Sequence, residues 1–160
     1  MKITVKQLVR GAMIAALYAV ITLFTEAISF GPVQFRISEA LTLLPFLMPE
    51  AVWGLTLGCL IANIFGGTVL DIVFGTLATL IAALITRKIK SLWLTPLPVI
   101  LCNGIIVGAV ITLGTYEFSL AAYGATVLSL AVSETIICYL GGVPLLAVLY
   151  SLTKKVRFFQ

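Results

Sequence analysis

The chain has 160 residues, 61% of them hydrophobic and 10% charged, with ten Lys and Arg, six Asp and Glu, no His and a net charge of +4. A soluble domain carries roughly a quarter charged residues, so a mean hydropathy of +1.20 excludes a water-facing globule and indicates an integral membrane protein. The lack of His and the wide separation of Cys59, Cys102 and Cys138 exclude zinc-type ligand pairs and a disulfide framework, and the three thiols read as small apolar packing residues.

The first apolar block covers residues 8–27 behind Lys2, Lys6 and Arg10. A basic start before an apolar run has the general plan of a signal peptide, but the run reaches Glu26 without a small-x-small cleavage site, which suits a retained helix. Ala12, Ala15, Ala16 and Ala19 make overlapping small-xxx-small pairs, which let a neighbouring helix approach closely, either within the bundle or from a partner. The following residues 34–39, Gln-Phe-Arg-Ile-Ser-Glu, alternate in polarity and read as a short extended lid with Ser38 as N-cap; Arg36 and Glu39 are spaced to pair with each other.

Residues 38–67 hold enough apolar length for one tilted span but are interrupted by Pro45, Pro49 and Glu50. Further apolar blocks follow at 72–85, 98–113 and 121–150. The basic residues mark the seams: besides the N-terminal group there are Arg87, Lys88 and Lys90, then Lys154, Lys155 and Arg157, with Arg36 alone standing apart. Positive-inside flanks explain this confinement, whereas a nucleic-acid groove does not. One span over 38–67 would leave Arg87 to Lys90 outside; two short passes, 39–48 and 51–65, hinged at Pro49-Glu50, return every basic group to the cytoplasm. The expected fold is therefore an all-α membrane protein, one domain over 1–160: a six-transmembrane-helix bundle with both termini cytoplasmic.

With that topology the acids sort as well. Glu26, Glu39, Asp71 and Glu117 fall at outer ends, Glu50 at an inner turn, and Glu134 deeper in the last helix. An ionisable group at mid-depth costs a few kcal/mol and normally faces a bundle interior, so Glu134 is the first candidate for a functional site. The alternative is a hydrogen bond to a neighbouring helix through Asn103, itself mid-helix. Asn63 before Gly66-Gly67 fits a glycine-capped helix end, and Thr68-x-x-Asp71 fits a capping box. Yet Asn63, Asp71 and Glu39 share one end, as a common pocket would require. Gly104 and Gly108 read as internal packing, Glu117 beside Tyr116 as exposed, and Trp93 as an interfacial anchor.

The string Gln34-Phe35-Arg36-Ile37-Ser38-Glu39-Ala40-Leu41, with Leu44-Pro45, Pro49-Glu50-Ala51 and Gly54-x-x-x-Gly58-Cys59, resembles the QueT family. Further similar features are Asn63 with Gly66, Asp71-x-x-Phe74-Gly75-x-x-Ala78-Thr79-Leu80, Asn103-Gly104 with Val107-Gly108, and Glu134 with Gly141, so the resemblance runs over nearly the whole chain. It implies a substrate-binding S component of an energy-coupling factor transporter that takes up a queuosine precursor such as a 7-deazaguanine base. The family fold implied is a six-helix bundle binding substrate near the outer face. The resemblance also implies a transmembrane coupling subunit, docked by an alanine motif that Ala12, Ala16 and Ala19 match loosely, and two ATPase subunits.

For such a base, Glu134, Glu39 or Asp71 would accept N1-H and the exocyclic amine, and Asn103 or Asn63 would donate to O6. A second carboxylate would offset an aminomethyl cation, and Phe35 would stack on the ring. Arg36 and Gln34 complete the candidate substrate-binding set, and no catalytic residue, cofactor, metal or nucleic-acid partner is expected. No G-x-x-x-x-G-K-[ST] string occurs, so ATP hydrolysis falls to other subunits. Two readings of other classes stand beside this one: an intramembrane enzyme using Glu134 and Asp71 as acid and base, and a non-catalytic scaffold. The first lacks His, metal-ligand spacing and a G-x-S-x-G turn; the second leaves the outer carboxylates and amides unexplained. Transport of another vitamin or base is the nearest alternative.

Overall fold

A computed structural model describes residues 4–30, 34–114 and 119–158, with side chains as far as residue 153. Glu117 and Tyr116 lie outside the described residues. Among those described, all regular structure is helical, as the bilayer demands of any segment that must satisfy its own backbone groups.

Helix α1 (Val5–Phe24) opens on a capping box in which the Thr4 side chain accepts from Gln7 N–H while the Gln7 side chain answers the Thr4 backbone. At 1.5 Å per residue its 20 residues span about 30 Å. Its buried face is Gly11, Ile14, Ala15, Tyr18, Ala19 and Thr22, a helical repeat of mostly small residues. One turn, α2 (Glu26–Ser29), follows, and from residue 34 the chain is extended into a 3-10 helix, Ile37–Phe46. Helix α3 (Ala51–Gly66) leads through the Thr68–Asp71 cap and a π-helical turn, Asp71–Gly75, into α4 (Thr76–Thr86). After a 3-10 turn at Leu92–Leu94 come α5 (Leu97–Cys102), a second π turn (Asn103–Val107) and α6 (Gly108–Gly114), one after another. Helix α7 (Leu120–Ile137) passes through a third π turn, Cys138–Gly142, into α8 (Val143–Phe158).

Inter-helix contacts give the directions. Gly54 lies against Gly11 and Gly58 against Ala15, so α1 and α3 run parallel. A Cβ at Gly58 would sit 2.7 Å from the Ala15 carbonyl oxygen, a backbone approach only glycine permits. Two parallel helices need a return path between them, and the 3-10 helix supplies it, packing Ala40, Leu43 and Phe46 alongside Gly142, Leu146 and Tyr150. Residues three apart eclipse in a 3-10 helix, so these three form one ridge. Glu39 and Thr42, also three apart, are buried on another ridge. Helix α4 returns antiparallel to α3, with Gly75 beside Asn63 and Thr79 beside Cys59. The α5–α6 segment and α7 are antiparallel as well, joined by Asn103 to Glu134 and by Gly104 and Gly108 to Val127.

The helical segments described thus run in alternating directions, with Arg10 and the Pro49-Glu50 turn at one end, linked by an Arg10–Glu50 ion pair of 3.4 Å. The end of α4, which precedes Arg87, Lys88 and Lys90, lies at the same end. By length and composition, three helices suffice to cross a bilayer: Val5–Phe24, Leu92–Gly114 and Leu120–Thr153. The expected second and third passes are shorter: the segment taken as 39–48 is a ten-residue 3-10 helix containing Pro45. Its steeper rise of about 2.0 Å per residue carries those ten residues roughly 20 Å, a third further than an α-helix. Ser38 does not cap it; its hydroxyl pairs with Thr22 Oγ1 at 2.6 Å.

Candidate functional site

In the extended residues 34–36 before the 3-10 helix, Gln34 and Arg36 are buried with Phe35 between them less so, as strand-like alternation gives. At the start of the 3-10 helix Ser38 is buried and Ile37 exposed. Gln34 is the one non-glycine residue described with a positive φ, 44°. The inward face meets polar groups from α1, α3, the first and second π turns and α7. Tyr18, Arg36, Glu39, Asn63, Asp71, Asn103 and Glu134 are each at most 4% exposed.

Two carboxylates in this cluster are held differently. Tyr18 donates its hydroxyl to Glu39 Oε1 at 2.6 Å, and Glu39 Oε2 has no partner in the protein. Asn103 Nδ2 donates to Glu134 Oε1 at 2.7 Å, and the Cys138 thiol lies 3.9 Å from Glu134 Oε2. The inter-helix bond foreseen as the alternative for Glu134 is therefore present, and its carboxylate is the better satisfied of the two. Arg36 does not pair with Glu39 as its spacing suggested. Its Nε donates to the Ser29 carbonyl at 3.2 Å, its guanidinium lies 4.8 Å from the Phe30 ring centroid, and Nη2 has no protein partner. In a 3-10 helix start, residues 36 and 39 stack with their backbones bonded, Glu39 N–H to Arg36 carbonyl at 3.0 Å, while the side chain of Arg36 is drawn back towards α2. Arg36 remains within electrostatic range of Tyr18, Cys59, Glu39 and Asp71.

Asn63 and Asp71 meet at the turn between α3 and α4. Asn63 Nδ2 donates to the Asp71 carbonyl at 2.8 Å, which fixes the amide's orientation and leaves Oδ1 without a partner. Asp71 Oδ2 closes the capping box, accepting from Thr68 N–H at 2.9 Å and Thr68 Oγ1 at 2.8 Å, while Oδ1 is unpartnered. The cap and a ligand role are compatible because each uses a different oxygen. Asp71 and Asn103 are each the first residue of a π turn, and such single-turn π segments are frequent at functional sites because they widen the helix locally.

A cavity of about 510 Å³ opens at the end of the bundle away from Arg10 and Glu50, and its walls include Phe30, Gln34, Gly67, Asp71, Val110 and Gly114. That volume suits a small ligand. The candidates are thus divided. Gln34 and Asp71 line the cavity and Arg36, Glu39 and Asn63 form the adjoining buried layer, whereas Phe35 faces a separate groove against Leu128, Ser129, Val132 and Ile136 of α7. The aromatic ring at the cavity is Phe30, which sequence reasoning missed, as it missed Tyr18. A lone Tyr in a run of alanines, whose hydroxyl must find a partner in an apolar helix, was the available signal for Tyr18. On α1, Ala12 and Ala16 lie on the outward face while Ala19 is buried.

Comparison with known proteins adds a family to this geometry. The QueT transporter family model matches residues 8–151. The queuosine precursor transporter QueT of Lactococcus lactis subsp. cremoris (strain MG1363) is 40% identical over 72 residues, a match spanning 44% of this chain and 43% of that protein, less than half the relative's length. No solved structure matches the chain. A family match over most of an apolar, all-helical chain leaves one assignment: this membrane protein belongs to the QueT transporter family.

Proposed function

We propose that the chain is the membrane-embedded substrate-binding subunit of an energy-coupling factor uptake transporter, carrying a queuosine precursor of the 7-deazaguanine class. In this reading residues 1–160 form one unit of six spans in the cytoplasmic membrane with both termini inside. The cavity then opens outward. A transmembrane coupling subunit and two ATPases supply the energy, and the outward Ala12 and Ala16 on α1 are the docking candidates.

One observation carries the substrate reading: Arg36 Nη2, Glu39 Oε2, Asn63 Oδ1 and Asp71 Oδ1 are buried without protein partners. Each such group costs about 1–3 kcal/mol unless something bonds it, and four on adjoining elements point to a polar ligand that completes them. A 7-deazaguanine offers donors at N1-H and its exocyclic amine and an acceptor at O6. Glu134, tied to Asn103, shapes this layer from behind.

Equilibrium binding of 7-cyano-7-deazaguanine, 7-aminomethyl-7-deazaguanine and guanine to detergent-purified protein tests the reading. Binding of a deazaguanine that Glu39→Gln weakens by tenfold or more, about 1.4 kcal/mol, supports it. A folded protein that binds none of the three refutes the substrate class.

A further inference from the structure

Phe30 is the one aromatic side chain among the described residues that wall the cavity of about 510 Å³. The same ring borders a second depression, beside Leu23, Phe24, Glu26 and Ala27. No other described residue lines both, so Phe30 forms the partition between the cavity and the α1–α2 side of this end of the bundle.

Two neighbours fix the ring. Its edge lies on the backbone of α3 where Gly66 leaves room: a Cβ on that residue would meet Phe30 Cε2 at 2.5 Å, Cδ2 at 2.9 Å and Cζ at 3.2 Å, and would push the ring aside. Over the ring stands the Arg36 guanidinium, 4.8 Å from its centroid, itself tethered through Nε to the Ser29 carbonyl at 3.2 Å. The ring quadrupole attracts that cation, the more strongly because Arg36 is buried away from water. Held at its edge and beneath a cation, the ring meets the cavity already ordered, so a ligand that touches it bears little further entropic cost. A flat heteroaromatic ligand gains face contact from such a ring that the aliphatic walls of Val110 and Ile111 do not give.

Resting on the 7-deazaguanine reading above, we propose that Phe30 is the stacking wall against which the flat base lies, and that Gly66 is a positioning residue that sets the place of the ring.

Equilibrium binding of 7-cyano-7-deazaguanine and 7-aminomethyl-7-deazaguanine to the detergent-purified full chain tests this. Unaltered protein is compared with Phe30→Tyr, Phe30→Leu, Gly66→Ala and the Phe30→Leu, Gly66→Ala double variant, each shown to be folded by its melting transition. Phe30→Tyr keeps the ring and should bind within about threefold of unaltered protein, whereas Phe30→Leu should bind about fivefold or more weakly. Gly66→Ala should weaken binding by about threefold or more, but by less than about twofold in the Phe30→Leu background, where the ring it displaces is gone. Gly66 also borders the cavity, and a methyl group that crowded the ligand directly would act equally in both backgrounds, which would overturn the positioning role. A folded Phe30→Leu that binds as tightly as unaltered protein, or a Phe30→Tyr as weak as Phe30→Leu, overturns the stacking wall and leaves the 7-deazaguanine reading standing. Gly66→Ala retains the whole ring, so where Phe30→Leu does not fold, undiminished affinity in Gly66→Ala overturns the proposal. Binding of neither ligand by folded, unaltered protein overturns both readings.

Discussion

Replacing Gly58 by Ala tests whether the parallel α1–α3 contact is what positions the polar cluster. The added Cβ would lie 2.7 Å from the Ala15 carbonyl oxygen, 2.9 Å from Tyr18 Cβ and 3.1 Å from Ala15 Cα. Restoring an ordinary 3.4 Å contact to that oxygen opens the pair by about 0.7 Å, and two of the three neighbours are backbone atoms that cannot rotate away. Overpacking of this kind costs about 1–3 kcal/mol, offset by up to about 1 kcal/mol of helix propensity gained from Gly to Ala. Gly124, in α7, has no neighbour within 4 Å of its would-be Cβ, so Gly124→Ala should show the propensity gain alone. The two variants therefore move in opposite directions, separated by about 1–3 kcal/mol, or roughly 3–10 °C in melting temperature for a domain of this size. Cys59 and Cys138 are fully buried, so a thiol-reactive fluorophore reports the melt as they become accessible. Because Tyr18 sits on the displaced face, Gly58→Ala should also weaken ligand binding through the 2.6 Å Tyr18–Glu39 bond. A Gly58→Ala protein as stable as Gly124→Ala would refute the close contact and the parallel packing argued from it.

Two further substitutions address the cluster. Thr68→Val removes the hydroxyl that bonds Asp71 Oδ2 at 2.8 Å and accepts from Asp71 N–H at 3.3 Å; the expected loss is about 0.5–2 kcal/mol in the same melting assay, and no change would show that the cap is idle. Asn103→Leu strands Glu134 Oε1, now bonded at 2.7 Å, and should cost about 1.5–3 kcal/mol, whereas Asn103→Leu combined with Glu134→Leu should recover part of that loss. Strict additivity in that double-mutant cycle would mean the pair is not coupled.

Much of this was legible in the chain. Hydropathy and charge are local properties of consecutive residues, so the apolar blocks, the basic seams and the Thr68–Asp71 cap could be read directly. The helical segments fall where those blocks lie, and the parity of the basic groups foreshadowed a return path within 38–67. Alternation in 34–39 foretold an extended segment, which holds for 34–36 and gives way to the 3-10 helix at Ile37, and Glu39, Asn63, Asp71, Asn103 and Glu134 were marked by the expense of polar groups in apolar surroundings.

What consecutive residues do not encode is which polar atom is left over after packing. Glu134 and Glu39 look alike as isolated carboxylates, yet one is satisfied by Asn103 and the other keeps a free oxygen because Tyr18, from a helix 21 residues earlier, bonds only its partner oxygen. Phe35 and Phe30 could not be ranked, since only the direction of the extended segment turns one towards α7 and the other under Arg36. The 3-10 form of Ile37–Phe46 is a tertiary outcome too: its ridge of Ala40, Leu43 and Phe46 follows the surface that Gly142 leaves open. Composition and periodicity determined that this chain is a membrane helix bundle with acids gathered towards one end. Packing of small residues decided how closely the helices approach, and hence which donors and acceptors meet and which remain for a ligand.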